Sequence, residues 1–445
     1  MKSILLIGAG RSASTLIEYL LQNSEKENWK ITVAELSLEL ALSKIKGHKN
    51  ACALLFDINN EEQRKLEVQK ADLVISMLPA HMHIAVAKDC VRYKKHMVTA
   101  SYVSSEMQEL NQEALIADIT LMNEIGVDPG IDHMSAMKIL DDIRQSGGKI
   151  TGFESFTGGL LAPESEKDNP WKYKFSWNPR NVILAGQGVV KFLHEGNYKY
   201  IPYHKLFRRT EILEVEGYGK YEGYANRDSL SYRMVYDLMD INTIYRGTLR
   251  RPGYCKAWDV FVQLGATDDS YIIEDSENMT YREFIDSFLP HATGDSVELK
   301  LYNYLKIEQD DYELHEKLSW LGIYENTKIG LVKASPAQIL QHILEQKWTL
   351  KKEDKDLIVM VHKFEYELNG DKKKLQSSMV IAGDDTIQTA MAKTVGLPVA
   401  IATKLILNGT IKDRGVLIPV SKSIYQPILN ELKNFGIHFT EKEID

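Results

Sequence analysis

A chain of 445 residues, 44% hydrophobic and 26% charged, exceeds what one hydrophobic core usually supports; it predicts two or three domains and excludes a disordered or membrane-embedded protein. Lysine and arginine total 54 against 62 aspartate and glutamate, and the net charge of −8 gives no general attraction to nucleic acid or anionic lipid. The three cysteines, Cys52, Cys90 and Cys255, are too scattered for a disulfide framework or a metal site, and the N-terminal apolar run breaks at glycine after a strand's length; both point to a cytoplasmic protein without signal peptide, spanning helix or metal.

A short apolar strand at residues 3–7 runs into Gly8-Ala9-Gly10-Arg11-Ser12-Ala13, followed by an amphipathic helix and a second strand at residues 30–34 that ends in Glu35. This is the pattern of a dinucleotide-binding turn. Gly8 permits the tight bend, Gly10 lets bare main chain approach the pyrophosphate, and Ala13 allows helix and strand to pack closely. Unpaired N–H groups at the helix start favour the phosphates. An acidic residue is expected roughly 20 residues beyond the glycines, and Glu35 can accept both ribose hydroxyls of NAD while repelling a 2′-phosphate.

Strand and helix then alternate. Residues 53–56 read as a third strand ending at Asp57, and Leu73–Ser76 as a fourth, followed by Met77-Leu78-Pro79. Residues 96–99 lead to Ser101-Tyr102, and residues 120–122 enter Asn123-Glu124-Ile125-Gly126-Val127-Asp128-Pro129-Gly130. Helical segments at 84–93 and 105–117 separate them. The alternation predicts an α/β fold with a Rossmann-type, doubly wound parallel sheet, in which ligands bind beyond the carboxyl ends of the strands. Met77, Leu78 and Pro79 are expected at the cofactor ribose and ring edge, and Asp57 and Ile58 near the adenine.

A helix at 133–145 ends at Gly147-Gly148, and the clear alternation stops there. The expected organisation is a dinucleotide-binding domain at 1–131 and a second α/β substrate domain, also a candidate dimerisation surface, at 132–270. A helical insertion at 271–355, a return to the substrate domain at 356–395 and a C-terminal segment at 396–445 packing back toward the nucleotide domain complete it. Residues 357–368 and 375–382 read as strands paired across Asn369-Gly370-Asp371, and residues 387–407 as a long helix through Gly396 and Pro398.

Several runs resemble one family. Lys95-His96-Met97-Val98-Thr99-Ala100-Ser101-Tyr102-Val103-Ser104, Met122-Asn123-Glu124-Ile125-Gly126-Val127-Asp128-Pro129-Gly130-Ile131-Asp132-His133 and Tyr173-Lys174-Phe175-Ser176-Trp177 are similar to saccharopine dehydrogenase of the glutamate-forming type, also called saccharopine reductase. So are Asn226-Arg227-Asp228-Ser229, Arg246-Gly247-Thr248-Leu249-Arg250 and Asp413-Arg414-Gly415-Val416-Leu417, in order along nearly the whole chain. The resemblance implies a reversible reaction of lysine metabolism: 2-aminoadipate 6-semialdehyde and glutamate condense to an imine, which a nicotinamide cofactor reduces to saccharopine. It places Ser101, Tyr102 and Asp128 at the saccharopine site. In plants and animals the activity is fused to a lysine-ketoglutarate reductase, for which this chain has no room. Fungal members use NADPH and carry a basic residue and a threonine after the second strand, where this chain has Glu35-Leu36-Ser37. Without a nearby arginine a 2′-phosphate lacks a bidentate partner, so NAD is favoured over NADP, and with it the oxidative, lysine-degrading direction.

Hydride transfer at a secondary amine needs a polar wall and a route for the nitrogen's proton. Asp128 and Tyr102 are the catalytic candidates, with Asp128 as a helix N-cap and Tyr102 as a packing residue the competing readings. Saccharopine carries three carboxylates, which arginine forks suit best; Arg227, Arg246 and Arg250, with Thr248 and Leu249, form the expected substrate set, and Thr248 with N–H groups at the start of a helix at 254–264 is a candidate carboxylate seat. Arg233 and Arg251 are read as solvated. The cofactor set is Gly8, Gly10, Arg11, Ser12, Ala13, Glu35, Asp57, Ile58, Met77, Leu78, Pro79, Val127 and Trp177. None of the histidines is assigned a role; His96 reads as structural, His81 and His83 as openers of a helix, and His133 as the one worth testing. Two other functions stay open: an imine reductase of the carboxynorspermidine or homospermidine type, and an NAD-binding regulator without turnover. The expected partners are small molecules, with no nucleic acid and no membrane, and an open sheet in the second domain could serve a homodimer.

Overall fold

The computed structural model describes residues 1–444. They form two compact units: unit 1 is Met1–Ile150 with Tyr366–Lys373 and Met379–Glu443, and unit 2 is chiefly Thr151–Glu365 with Lys374–Ser378.

Unit 1 is built on strands β1 (Lys2–Ile7), β2 (Trp29–Glu35), β3 (Ala51–Leu55), β4 (Leu73–Ser76), β5 (His96–Val98) and β6 (Thr120–Met122). Its sheet runs Gly415–Leu417, β6, β5, β4, β1, β2, β3, all paired in parallel. This is the doubly wound order, reversing between β1 and β4, with one further strand donated by the C-terminal segment. The central strands are sealed on both faces: Leu73, Val74 and Ile75 are fully buried. That is why they read as continuous apolar runs in the sequence. The segment expected as one helix at 105–117 divides at Leu110 into Ser105–Glu109 and Asn111–Ile116, the first capped by the Ser104 hydroxyl on the Met107 N–H at 3.1 Å.

Helix Ile131–Gln145, which the sequence assigns to the second domain, belongs to unit 1. There the Tyr425 hydroxyl of helix Lys422–Leu432 donates to its Asp141 carboxylate at 2.7 Å. Helix Ala390–Leu407 has the length and apolar composition of a membrane span, but 72% of it is buried within the fold, so its apolar surface is spent on packing. Gly396 makes that packing close. A Cβ there would stand 2.8 Å from the Leu16 main-chain nitrogen of helix Ser14–Asn23, which cannot swing away. Gly396→Ala is therefore expected to destabilise the protein by about 1–3 kcal/mol, outweighing the gain of about 1 kcal/mol in helix propensity; chemical denaturation of the two proteins measures the difference.

A second sheet, most of whose residues belong to unit 2, carries β7 (Lys149–Leu161), β8 (Val189–His194), β9 (Asn197–Pro202), β10 (Thr210–Val215), β11 (Gly219–Ala225), β12 (Thr243–Arg250), β13 (Asp356–Leu368) and β14 (Asp371–Ala382). The sheet order is β10-β11-β12-β7-β13-β14, completed by Thr440–Ile444, with the β8–β9 hairpin joined to β12. Asn369 and Gly370 both take positive φ at the β13–β14 turn, as a two-residue hairpin requires. Helices Tyr254–Leu264, Tyr281–Asp286, Val297–Leu305, Tyr312–Trp320 and Pro336–Trp348 close around a core in which Trp348 meets Trp171 at 5.2 Å and Tyr173 at 4.9 Å between ring centroids.

Candidate active site

In unit 1 the dinucleotide turn is bent by a steric constraint. Gly8 has φ +98, and a Cβ on it would stand 2.8 Å from the Met77 carbonyl oxygen on the neighbouring β4 tail. Gly10, by contrast, faces open space with nothing within 4 Å, so its main chain is bare toward a ligand. Arg11–Ala13 form a helical turn leading into helix Ser14–Asn23, and the first N–H groups of such a start have no internal acceptor. Glu35, at the end of β2, accepts the Ala9 N–H at 2.7 Å and the Leu36 N–H at 2.9 Å, which fixes its carboxylate beside the turn. The backbone cradle and this carboxylate fit a nicotinamide dinucleotide: main chain for the diphosphate, Glu35 for the adenosine ribose.

Other expected cofactor residues differ in what they present. Arg11 and Asp57 are exposed, Ser12, Met77 and Leu78 half-buried, and Pro79 exposed at the β4 tail. The Ile58 side chain is packed into the core of unit 1. Val127 is buried, with its carbonyl accepting the Asp132 N–H at 3.1 Å. Trp177 lies in unit 2, half-buried against that unit's aromatic core.

The tails of β5 and β6 bring Ser101, Tyr102 and Asp128 together. The Tyr102 hydroxyl donates to Asp128 Oδ1 at 3.2 Å. Asp128 stands on a tight loop in which the Gly126 N–H meets the Pro129 carbonyl at 2.8 Å, and a Cβ on Gly130 would fall 2.1 Å from the Gly126 oxygen. The helix that follows begins at Ile131 with Gly130 as N-cap and no side-chain cap. The competing reading of Asp128 as a cap is thus not realised, and the Asp132 carboxylate accepts the Gly130 N–H at 2.6 Å.

Two polar braces hold this wall, neither legible as such in the sequence. Glu124 accepts the Val103 N–H at 2.9 Å through one oxygen and meets buried His133 Nε2 at 2.8 Å through the other. Beneath them His83, 4% exposed, contacts Ser76 Oγ at 2.8 Å through Nδ1 and Ser101 Oγ at 2.7 Å through Nε2. Burial lowers the His83 pKa to about 4, so the ring is neutral near pH 7. His96 receives the Thr120 N–H at 3.0 Å and has a pKa likewise lowered to about 4 by burial, the structural part the sequence suggested.

In unit 2, Arg246, Thr248 and Arg250 alternate along β12 and so share one face. Arg250 is 5% exposed, with its guanidinium carbon 4.9, 5.2 and 6.0 Å from the ring centroids of Tyr173, Tyr254 and Tyr224. Its Nη1 donates to the Leu249 carbonyl at 2.8 Å, and its buried Nε has no hydrogen-bond partner. Among the described residues no carboxylate oxygen lies within the 4.0 Å of an ion pair. Arg246 is buried over the Tyr232 ring at 4.1 Å. Arg227 is exposed, just past β11, with φ +50. Leu249 is fully buried, leaving only main chain for any ligand.

Two expectations are corrected here. The N-terminus of helix Tyr254–Leu264 is not a free carboxylate seat, because Glu222 accepts the Cys255 N–H and the Glu313 carboxylate crowds Gly253. Arg251 is not a solvated residue: it is 8% exposed, ion-paired with Glu166 at 2.5 Å and stacked 4.6 Å from the Tyr221 ring.

A doubly wound sheet with this turn and this polar wall defines a Rossmann-type oxidoreductase that uses a nicotinamide cofactor. Family models described as the saccharopine dehydrogenase NADP binding domain and the saccharopine dehydrogenase C-terminal domain match residues 4–122 and 126–437. The chain belongs to the saccharopine dehydrogenase family. It is 34% identical to the saccharopine dehydrogenase [NADP(+), L-glutamate-forming] of Pyricularia oryzae, over 100% of this chain and 99% of that one. The apo structure of histidine-tagged saccharopine dehydrogenase (L-Glu forming) from Saccharomyces cerevisiae superposes with a TM-score of 0.90 at 33% identity, over 100% of both chains. A mitochondrial alpha-aminoadipic semialdehyde synthase of Rattus norvegicus is 34% identical over 98% of this chain but only 47% of its own length.

Proposed function

We propose that the protein catalyses the reversible, nicotinamide-dependent oxidation of saccharopine to 2-aminoadipate 6-semialdehyde and L-glutamate. The observation that carries this reading is the Tyr102–Asp128 contact at the β5 and β6 tails, on the same edge of the sheet as the dinucleotide turn. The cofactor, when bound, supplies a hydride acceptor. Asp128 takes the proton released at the substrate nitrogen as the C–H hydride leaves, and Tyr102 holds that carboxylate in place. Water then adds to the resulting imine carbon and releases the semialdehyde and L-glutamate. Ser101, Arg227, Arg246, Thr248 and Arg250 bind the three carboxylates, the guanidinium forks matching paired oxygens. A polyamine substrate would bring cations to these arginines, which disfavours the carboxynorspermidine and homospermidine reactions. A regulator without turnover would have no use for the Tyr102–Asp128 pair.

Three of the relatives, all saccharopine dehydrogenases, are named for NADP(+). We nevertheless propose NAD for this chain. Glu35 ends β2, where a carboxylate suits the free ribose hydroxyls of NAD and would repel a 2′-phosphate, and Leu36 and Ser37 after it offer no cation. The oxidative direction, a cytoplasmic location and action on small molecules alone, as a homodimer, go with this proposal. Glu35→Ser is expected to lower kcat/KM for NAD and raise it for NADP, each by about tenfold, in keeping with a charge-assisted hydrogen bond of about 1.5 kcal/mol or more. Steady-state kinetics with both cofactors decide it, and a wild-type preference for NADP would refute the assignment.

A further inference from the structure

The direction of the hydrogen bonds in the Ser76–His83–Ser101 chain follows from burial. Ser76 is fully buried, and among the described residues its hydroxyl has one hydrogen-bond partner, His83 Nδ1 at 2.8 Å. If it accepted a proton from Nδ1, its own proton would be left without an acceptor, at a cost of about 1–3 kcal/mol. It therefore donates to Nδ1, and the neutral ring carries its proton on Nε2. Thr99 Oγ1, at 3.5 Å from Nε2, is at the limit of hydrogen bonding and already accepts the Ser101 N–H at 3.3 Å, so it does not reverse this order. Nε2–H then donates to Ser101 Oγ at 2.7 Å. The Ser101 hydroxyl proton is left pointing away from the ring.

We propose that His83 is a positioning residue for the substrate: it fixes Ser101 as a hydrogen-bond donor to a carboxylate of saccharopine. This rests on the functional reading above, in which Ser101 touches the substrate. No proton passes through the ring during turnover; His83 acts only through the orientation of Ser101.

Two substitutions separate this role from simple packing. In His83→Asn the shorter amide still reaches Ser76 but stops short of Ser101; in His83→Gln the longer amide places an N–H where Nε2–H stands. We expect Ser101→Ala and His83→Asn each to raise KM for saccharopine by about ten- to a hundredfold, the range of a hydrogen bond to a charged group, with kcat changed much less. The double variant should be no worse than either single variant. His83→Gln should stay within a few-fold of wild type in KM even if its melting temperature falls as far as that of His83→Asn. A KM for His83→Asn equal to wild type while Ser101→Ala is impaired, or multiplying effects in the double variant, would overturn the proposal. A wild-type protein that turns over no saccharopine would instead sink the functional reading on which it rests.

Discussion

Asp128→Ala is expected to lower kcat for saccharopine oxidation by about 10²- to 10⁴-fold, the usual worth of a positioned acid–base group, while leaving the dissociation constant for the dinucleotide within a few-fold of wild type. The two effects separate because different loops carry them. In the proposed reading the dinucleotide rests on Gly8–Ala13 and Glu35, whose geometry depends on the Met77 main chain and the Ala9 N–H. Asp128 is set by the Gly126–Gly130 loop and by Tyr102. Asp128→Asn sharpens the test, because an amide can still receive the Tyr102 hydroxyl but cannot take a proton. It should be nearly as impaired as alanine. Tyr102→Phe, which only loosens the carboxylate, should cost less. Rapid kinetics of cofactor reduction, with binding followed separately, distinguish these outcomes, and an Asp128→Asn enzyme of wild-type kcat would remove Asp128 from the chemistry.

Arg250→Met should raise KM for saccharopine by about thirty- to several-thousand-fold, corresponding to the 2–5 kcal/mol lost when one partner of a buried charge pair is truncated. A guanidinium buried among Tyr173, Tyr224 and Tyr254, with no carboxylate partner among the described residues, is costly to keep unless an anion arrives to pair with it. Methionine preserves much of the volume against the rings, so stability should suffer less than binding. Arg250→Lys keeps the charge but loses the planar fork, and should recover only part of the affinity. If Arg250→Met bound saccharopine normally yet melted far below wild type, the residue would be a structural cation instead.

Much of unit 1 could be read from the amino-acid order because its central strands are buried on both faces and its first two strands run into glycine or end on an acidic residue. Leu73–Ser76 and Thr120–Met122 fall where the apolar runs place them. The strands of unit 2 were harder to see because glycines interrupt their alternation. Phe156 of β7 lies against Gly247 and Gly223, where a Cβ would approach its ring to 2.5 and 3.0 Å, so the missing side chains are part of the packing. Strand tails and the family resemblance single out Ser101, Tyr102 and Asp128 as candidates, and the structure brings Tyr102 and Asp128 into contact. Their braces have no such signal, since Ser76 and Ser101 lie 7 and 18 positions from His83 and no local pattern links them. Arg251 was misread for the same reason, its partner Glu166 being 85 positions away.

The most direct test of the whole account is to mix the purified protein with saccharopine and NAD, then follow reduced cofactor and L-glutamate together. The two should appear in equal amounts, faster with NAD than with NADP. Tight NAD binding with neither product formed would contradict it.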